Sequence, residues 1–126
     1  MTPLETVNAF IDKVVSGDLD GACELVTADI EYDNVPIGKN HGPDELKAVF
    51  GGLTGGVDSI EFITVREAAT GNIVMNERID RFHTKAGPID VLVAGVFEVN
   101  ADGKISLWRD YFDMAKVGEL MAAISS

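Results

Sequence analysis

Cysteine is almost missing from this sequence: Cys23 stands alone among 126 residues, so no internal disulfide and no cysteine-built metal cluster can form. A reducing, cytoplasmic setting is the expected home. Basic residues are scarce too, 10 against 21 acidic ones, and the net charge of -11 repels phosphate backbones and anionic lipid surfaces. Neither nucleic acid nor membrane is an expected partner; a neutral or apolar small molecule is easier to admit. No apolar run approaches the ~18 residues of a membrane span, and no basic stretch followed by an apolar one opens the chain. The two histidines, His41 and His83, sit in a loop and at a strand end, without carboxylates at metal-binding spacing, so no metal site is expected. Phosphate-binding glycine signatures and the G-x-S-x-G elbow are also absent, and Gly51, Gly52, Gly55 and Gly56 read as a flexible loop that ends a helix.

What is present describes one globular unit spanning residues 1–126, with 46% hydrophobic and 25% charged residues. Thr2-Pro3-Leu4-Glu5 predicts a capped helix with an apolar stripe of Leu4, Val7, Phe10, Ile11, Val14 and Val15. A short helix over Asp20 to Val26 and a third opening at Pro43, with Leu46, Val49, Phe50 and Leu53 inward, follow. From Asp58 the period changes to two. Strands are expected over about 59–68, 72–83, 89–100 and 104–111, joined by short turns into an antiparallel meander, with a further short strand at 30–35 and a last helix capped by Asp113. This order predicts an α+β fold, a curved sheet holding helices in its concave face.

Three strings carry the chemistry. Arg78 and Asp80, two apart in a strand, share a face with Val74, Asn76 and Phe82, and the opposite face is no more purely apolar. Apolar ends around a polar centre suit a ligand pocket. Tyr32 and Asn34 share the face of Ile30, and Trp108, Asp110 and Phe112 share theirs. An aspartate between two aromatics calls for burial and a partner. Arg78 can serve both Asp80 and Asp110, because a planar guanidinium with five donors can bridge two carboxylates. Two carboxylates in a partly dry pocket can then hold opposite protonation states, acid and base; periodicity does not say which keeps the proton. Taken singly, each element has a plainer reading: Arg78–Asp80 as a surface ion pair, Tyr32 as a core tyrosine, Asn34 as a turn residue.

Together and in order, Tyr32-Asp33-Asn34-Val35-Pro36, Glu77-Arg78-Ile79-Asp80 and Trp108-Arg109-Asp110-Tyr111-Phe112-Asp113 resemble the limonene-1,2-epoxide hydrolase family over nearly the whole chain. The resemblance implies the cone-shaped α+β barrel of nuclear transport factor 2-like proteins, with a strongly curved mixed sheet. It implies a one-step, cofactor-independent hydrolysis of an epoxide to a vicinal diol. Asp80 would be the general acid, Asp110 the general base, Arg78 the group orienting both, and Tyr32 with Asn34 the holders of water. It also suggests a homodimer.

The expected chamber draws on Val74, Phe82, Leu92, Ala94, Val96, Trp108 and Phe112, with Phe10 and Phe50 from helices, and so suits an apolar terpene, fatty or sterol epoxide. Ile73, Ile79, Val91, Val93 and Phe97 are then assigned to the outer, dimer-forming face. Glu31, Asp33 and Glu77 read as solvated or interfacial. Two other functions fit the same pattern: an isomerase, dehydratase or polyketide cyclase of this fold, or a non-catalytic module that binds a hydrophobic ligand.

Overall fold

A computed structural model describes residues 1–125. Helix α1 (Pro3–Val15) starts at a closed capping box: the Glu5 backbone N–H donates to Thr2 Oγ1 at 3.2 Å, and the Thr2 N–H to Glu5 Oε1 at 2.8 Å. Its apolar stripe, Val7, Phe10, Ile11 and Val14, is buried in the sheet's concave face. Short α2 (Leu19–Cys23) leads into β1 (Val26–Val35), which begins earlier than the pattern at 30–35 suggested because α2 ends before Val26. A cis Val35–Pro36 bond follows, and β2 (Gly38–His41) pairs back on β1 where a loop was expected. Its residues Gly38, Lys39, Asn40 and His41 carry no alternation that would announce a strand.

Helix α3 (Gly42–Thr54) runs through Gly51 and Gly52, which were expected to dissolve it. Leu46 and Phe50 hold it to the core, and that packing outweighs the helix cost of two glycines. Strands β3 (Ser59–Thr70), β4 (Ile73–Thr84), β5 (Gly87–Val99) and β6 (Ile105–Phe112) form the antiparallel meander, and β1 joins its end parallel to β6. The result is a mixed six-stranded sheet in the order β2-β1-β6-β5-β4-β3. Helix α4 (Met114–Ser125) closes the chain, its first turn capped by Asp113 Oδ1, which accepts from the Ala115 N–H at 2.9 Å.

One strand is turned over relative to expectation. Register pairs Arg78 with Val93 and Asp80 with Val91, and directly paired residues share a face. Val91, Val93 and Phe97 are therefore inner and buried, while Leu92, placed in the chamber from sequence, is 66% exposed on the outer face with Ala94 and Val96. Both parities of Val91-Leu92-Val93-Ala94 are apolar, so alternation alone carries no signal there. Ile73 and Ile79 do lie on the outer face, half-buried, and its exposed apolar side chains are Val65, Met75, Leu92 and Tyr111.

Candidate active site

Rows running across the sheet assemble the site. Tyr32 is paired with Trp108 and Asn34 with Asp110 across β1 and β6; Asp110 is paired with Gly95, and Gly95 with Asn76. Arg78 and Asp80 occupy the two next inner positions of β4. All five polar residues singled out from sequence thus lie on one concave surface. Trp108 is its anchor, stacked on Tyr32 at 4.4 Å between ring centres and on Phe97 at 5.9 Å, with the Phe10 ring edge-on at 5.2 Å. Locked in this way, the indole Nε1–H donates to Asp110 Oδ1 at 2.8 Å.

Arg78 is 1% exposed, and each of its five N–H bonds is used. Nε and Nη2 donate to the two oxygens of Asp80, both at 2.9 Å. Nη2 also reaches Asp110 Oδ2 at 2.8 Å, and Nη1 reaches Asp110 Oδ1 at 3.2 Å and Asn76 Oδ1 at 3.0 Å. The Phe62 ring lies 4.7 Å from the guanidinium carbon and adds a cation–π contact. With no donor left over, Arg78 can orient carboxylates but cannot bind a ligand itself.

The two aspartates differ. Asp110 accepts three N–H bonds, two from Arg78 and one from Trp108, whereas Asp80 accepts two, both from Arg78. Burial pushes the Asp80 carboxyl up to about 6; hydrogen bonding and attraction from Arg78 oppose the rise, and the neighbouring Asp110 charge adds to it. Burial would pull the Arg78 guanidinium down, but Asp110 and Asp80 outweigh it and keep the group charged. The Tyr32 hydroxyl is held well above its ordinary range by burial first and then by Asp110, so it stays protonated.

A cavity of about 290 Å³ opens over these groups. Its polar lining is Tyr32, Asn34, Asp80 and Asp110; Phe82, Val91, Val93, Trp108 and Phe112 form apolar walls, and Phe50, Leu53, Val117 and Leu120 of α3 and α4 form the roof. Of the expected chamber residues, Phe82, Trp108, Phe112 and Phe50 line it. Val74 and Phe10 are buried in the core behind it, and Leu92 lies outside. Asp33 is buried on the other face of β1, where it accepts from Arg109 Nε at 2.8 Å, a closer tie than the solvated position expected of it. Sequence reading placed Asn76 on this face without giving it a role, and passed over Phe62 and Gly95. A glycine inside an apolar strand was the available signal, since it often marks close approach by another group. No cluster of His, Cys, Asp and Glu suited to a metal occurs among the described residues, nor is any helix there long and apolar enough to cross a membrane.

A curved α+β sheet closed by helices over an apolar chamber, with a carboxylate–guanidinium–carboxylate floor, defines a small-molecule site with acid–base potential. Known proteins make the class specific. The family described as limonene-1,2-epoxide hydrolase catalytic domain matches residues 1–122. Epoxide hydrolase EphG of Mycobacterium tuberculosis is 33% identical over 108 residues, covering 86% of this chain and 71% of that protein. A solved structure of an M. tuberculosis LEH-like epoxide hydrolase superposes with a TM-score of 0.81 at 30% identity, covering 98% of this chain and 92% of the other. An NTF2-like protein of unknown function from Burkholderia pseudomallei shares the fold, with a TM-score of 0.83 at 17% identity over 100% of this chain and 99% of its own. The chain belongs to the limonene-1,2-epoxide hydrolase family.

Proposed function

We propose that the chain is an epoxide hydrolase that adds water to an apolar epoxide in one step, giving a vicinal diol. The observation that carries this reading is the unequal pair of aspartates on one saturated guanidinium, at the floor of an apolar chamber. Asp110, with more donors on it, is the carboxylate form and takes a proton from water. Asp80, raised by burial, holds a proton and gives it to the epoxide oxygen as the carbon–oxygen bond breaks. Tyr32 and Asn34, across the strand pairing from Trp108 and Asp110, hold the water in line. Water oxygen becomes one hydroxyl and epoxide oxygen the other; return of the proton from Asp110 to Asp80 through solvent resets the site. Every step uses side chains and water.

The test is a diol assay over terpene, styrene, fatty and sterol epoxides, followed by a single turnover in ¹⁸O-labelled water. Label in the diol at the first turnover supports direct attack. Label delayed to a second turnover would mean a covalent carboxylate ester and overturn the mechanism. Deuterium exchange at a substrate carbon without diol would point to an isomerase, dehydratase or cyclase of this fold, and tight binding with no turnover to a binding module.

The reading extends to assembly. The outer-face side chains Val65, Met75, Leu92 and Tyr111 form an exposed apolar surface suited to a homodimer. Leu92→Glu is expected to shift the sedimentation coefficient toward that of a monomer; an unchanged coefficient would remove this face from the assembly.

A further inference from the structure

The guanidinium of Arg78 lies where a side chain ought to be. A Cβ built on Gly95 would stand 2.5 Å from Arg78 Nη1, 2.6 Å from Asn76 Oδ1 and 2.9 Å from Asp110 Oδ1. Three polar atoms, two from β4 and one from β6, therefore converge on the vacant volume above one glycine. Gly95 lies between Asn76 and Asp110 in the same cross-sheet row, so Arg78 leans out of its own row to fill the gap. Asn76 is 4% exposed; its Oδ1 accepts from Arg78, and its Nδ2 is buried without a hydrogen-bond partner. A buried amide kept with one half unsatisfied has a cost. A role for its other half would account for its retention.

We propose that Asn76 and Gly95 are positioning residues that divide acid from base in the aspartate pair, an inference that rests on the proposed hydrolysis. Gly95 makes the space in which one guanidinium can touch both carboxylates. Asn76 takes one of the two Nη1 hydrogens and so limits how tightly Arg78 holds Asp110. The charged and titratable groups facing Arg78 are Asp80 on its own strand and Asp110 on β6, with Tyr32 of β1 beside Asp110; β3 contributes Phe62 and β5 the backbone of Gly95 and the apolar Val93. Asn76 is therefore the single neutral acceptor on the fork. Without it, one Nη1 hydrogen loses its acceptor and the other is held by Asp110 alone, which strengthens that bond, favours the carboxylate and makes a weaker base.

Two substitutions push in opposite directions. Asn76→Leu is expected to lower kcat about tenfold, the scale of one hydrogen bond in the transition state, with KM nearly unchanged and the ascending limb of kcat/KM moved to lower pH. Asn76→Asp adds a negative charge at the same acceptor and is expected to move both limbs to higher pH. Gly95→Ala displaces the fork and is expected to cost more activity than Asn76→Leu. Nitrogen-15 NMR of the Arg78 side chain on the same samples reads the fork without turnover: Asn76→Leu should change the Nη1 signals and their hydrogen exchange while leaving Nε near its wild-type shift. Folded Asn76 variants with wild-type limbs, kcat within twofold and an unaltered Arg78 spectrum would overturn the inference, even if Gly95→Ala fails to fold. A wild-type protein that hydrolyses no epoxide would instead remove the proposed reaction, and the NMR comparison would still decide the role of Asn76.

Discussion

The sheet carries two arginines, each clasping two carboxylates, one on either face. On the concave side Arg78 holds Asp80 and Asp110; on the convex side Arg109 donates from Nε to Asp33 at 2.8 Å and from Nη2 to Glu31 at 2.5 Å. The ingredients match but the surroundings do not. The Arg78 side chain is 0% exposed with its partners at 7%, whereas Arg109 and Glu31 stand at 29% and 28%, and Lys39 and His41 lie within 4 Å of Glu31. Further cations share the outer charge; on the inner face Arg78 is the one cation, among the described residues, that contacts the pair, with the Trp108 indole as a neutral donor to Asp110. An arginine between two carboxylates therefore becomes a candidate acid–base device through depth and an adjoining chamber, because in low dielectric the second carboxylate cannot ionise freely.

The largest contrast is expected from removing carboxylates. Asp80→Asn and Asp110→Asn should each lower kcat/KM by about 10²- to 10⁴-fold, the usual contribution of one positioned acid or base. Circular dichroism should still show the folded protein, since the asparagine oxygen can accept from Arg78. Arg78→Leu is the harsher change, leaving two buried carboxylates unpaired at a cost of about 3–5 kcal/mol, readable in a denaturant melt. Substantial turnover in either Asn variant would put the inner fork on a par with the outer one and end its claim to chemistry.

Acidity sharpens the same comparison. Asp80 must be protonated to act, so kcat/KM is expected to fall tenfold per unit above about pH 6. An apolar substrate that displaces water raises Asp80 further, moving the descending limb of kcat to higher pH than that of kcat/KM. Stability has the matching sign. Because folding raises this carboxyl from an ordinary 3.8 to about 6, its favourable contribution is intact below the lower value and is lost as pH rises through the upper one. The melting temperature of wild type relative to Asp80→Asn should thus decline between about pH 4 and 6, and a flat difference would show that Asp80 titrates normally.

Strand parity gives the next, smaller effect. Val91 lines the chamber and Leu92 is exposed behind it, so Val91→Phe should change the ranking of epoxides by size while Leu92→Phe leaves it unaltered. A shift in ranking from Leu92→Phe alone would return β5 to the orientation first expected. That expectation failed for a physical reason: with both faces of the strand apolar, only pairing with β4 sets the parity, and pairing is a long-range property. Where polar residues interrupt alternation the faces were legible. Arg78 with Asp80, Trp108 with Asp110, and Tyr32 with Asn34 all point inward as their spacing required. Contacts through absence were hardest to see. Gly95 matters because three side chains meet where its Cβ would stand, and no spacing rule reports on an empty volume.

The smallest effect belongs to the outer fork. Arg109→Gln leaves Asp33, itself 6% exposed, without its main donor, and a cost of about 1–2 kcal/mol in stability is expected. The coupling between Arg109 and Asp33 in a double-mutant cycle should be about 1 kcal/mol or less and should shrink with added salt, because the arginine head is partly in water. Turnover should stay within threefold of wild type. A larger loss in folded Arg109→Gln, with KM unchanged, would have a specific meaning. Asp33 and Arg109 are paired across β1 and β6 beside the inner rows Tyr32–Trp108 and Asn34–Asp110, so the convex ion pair would then be holding the water-binding strand in register with the base.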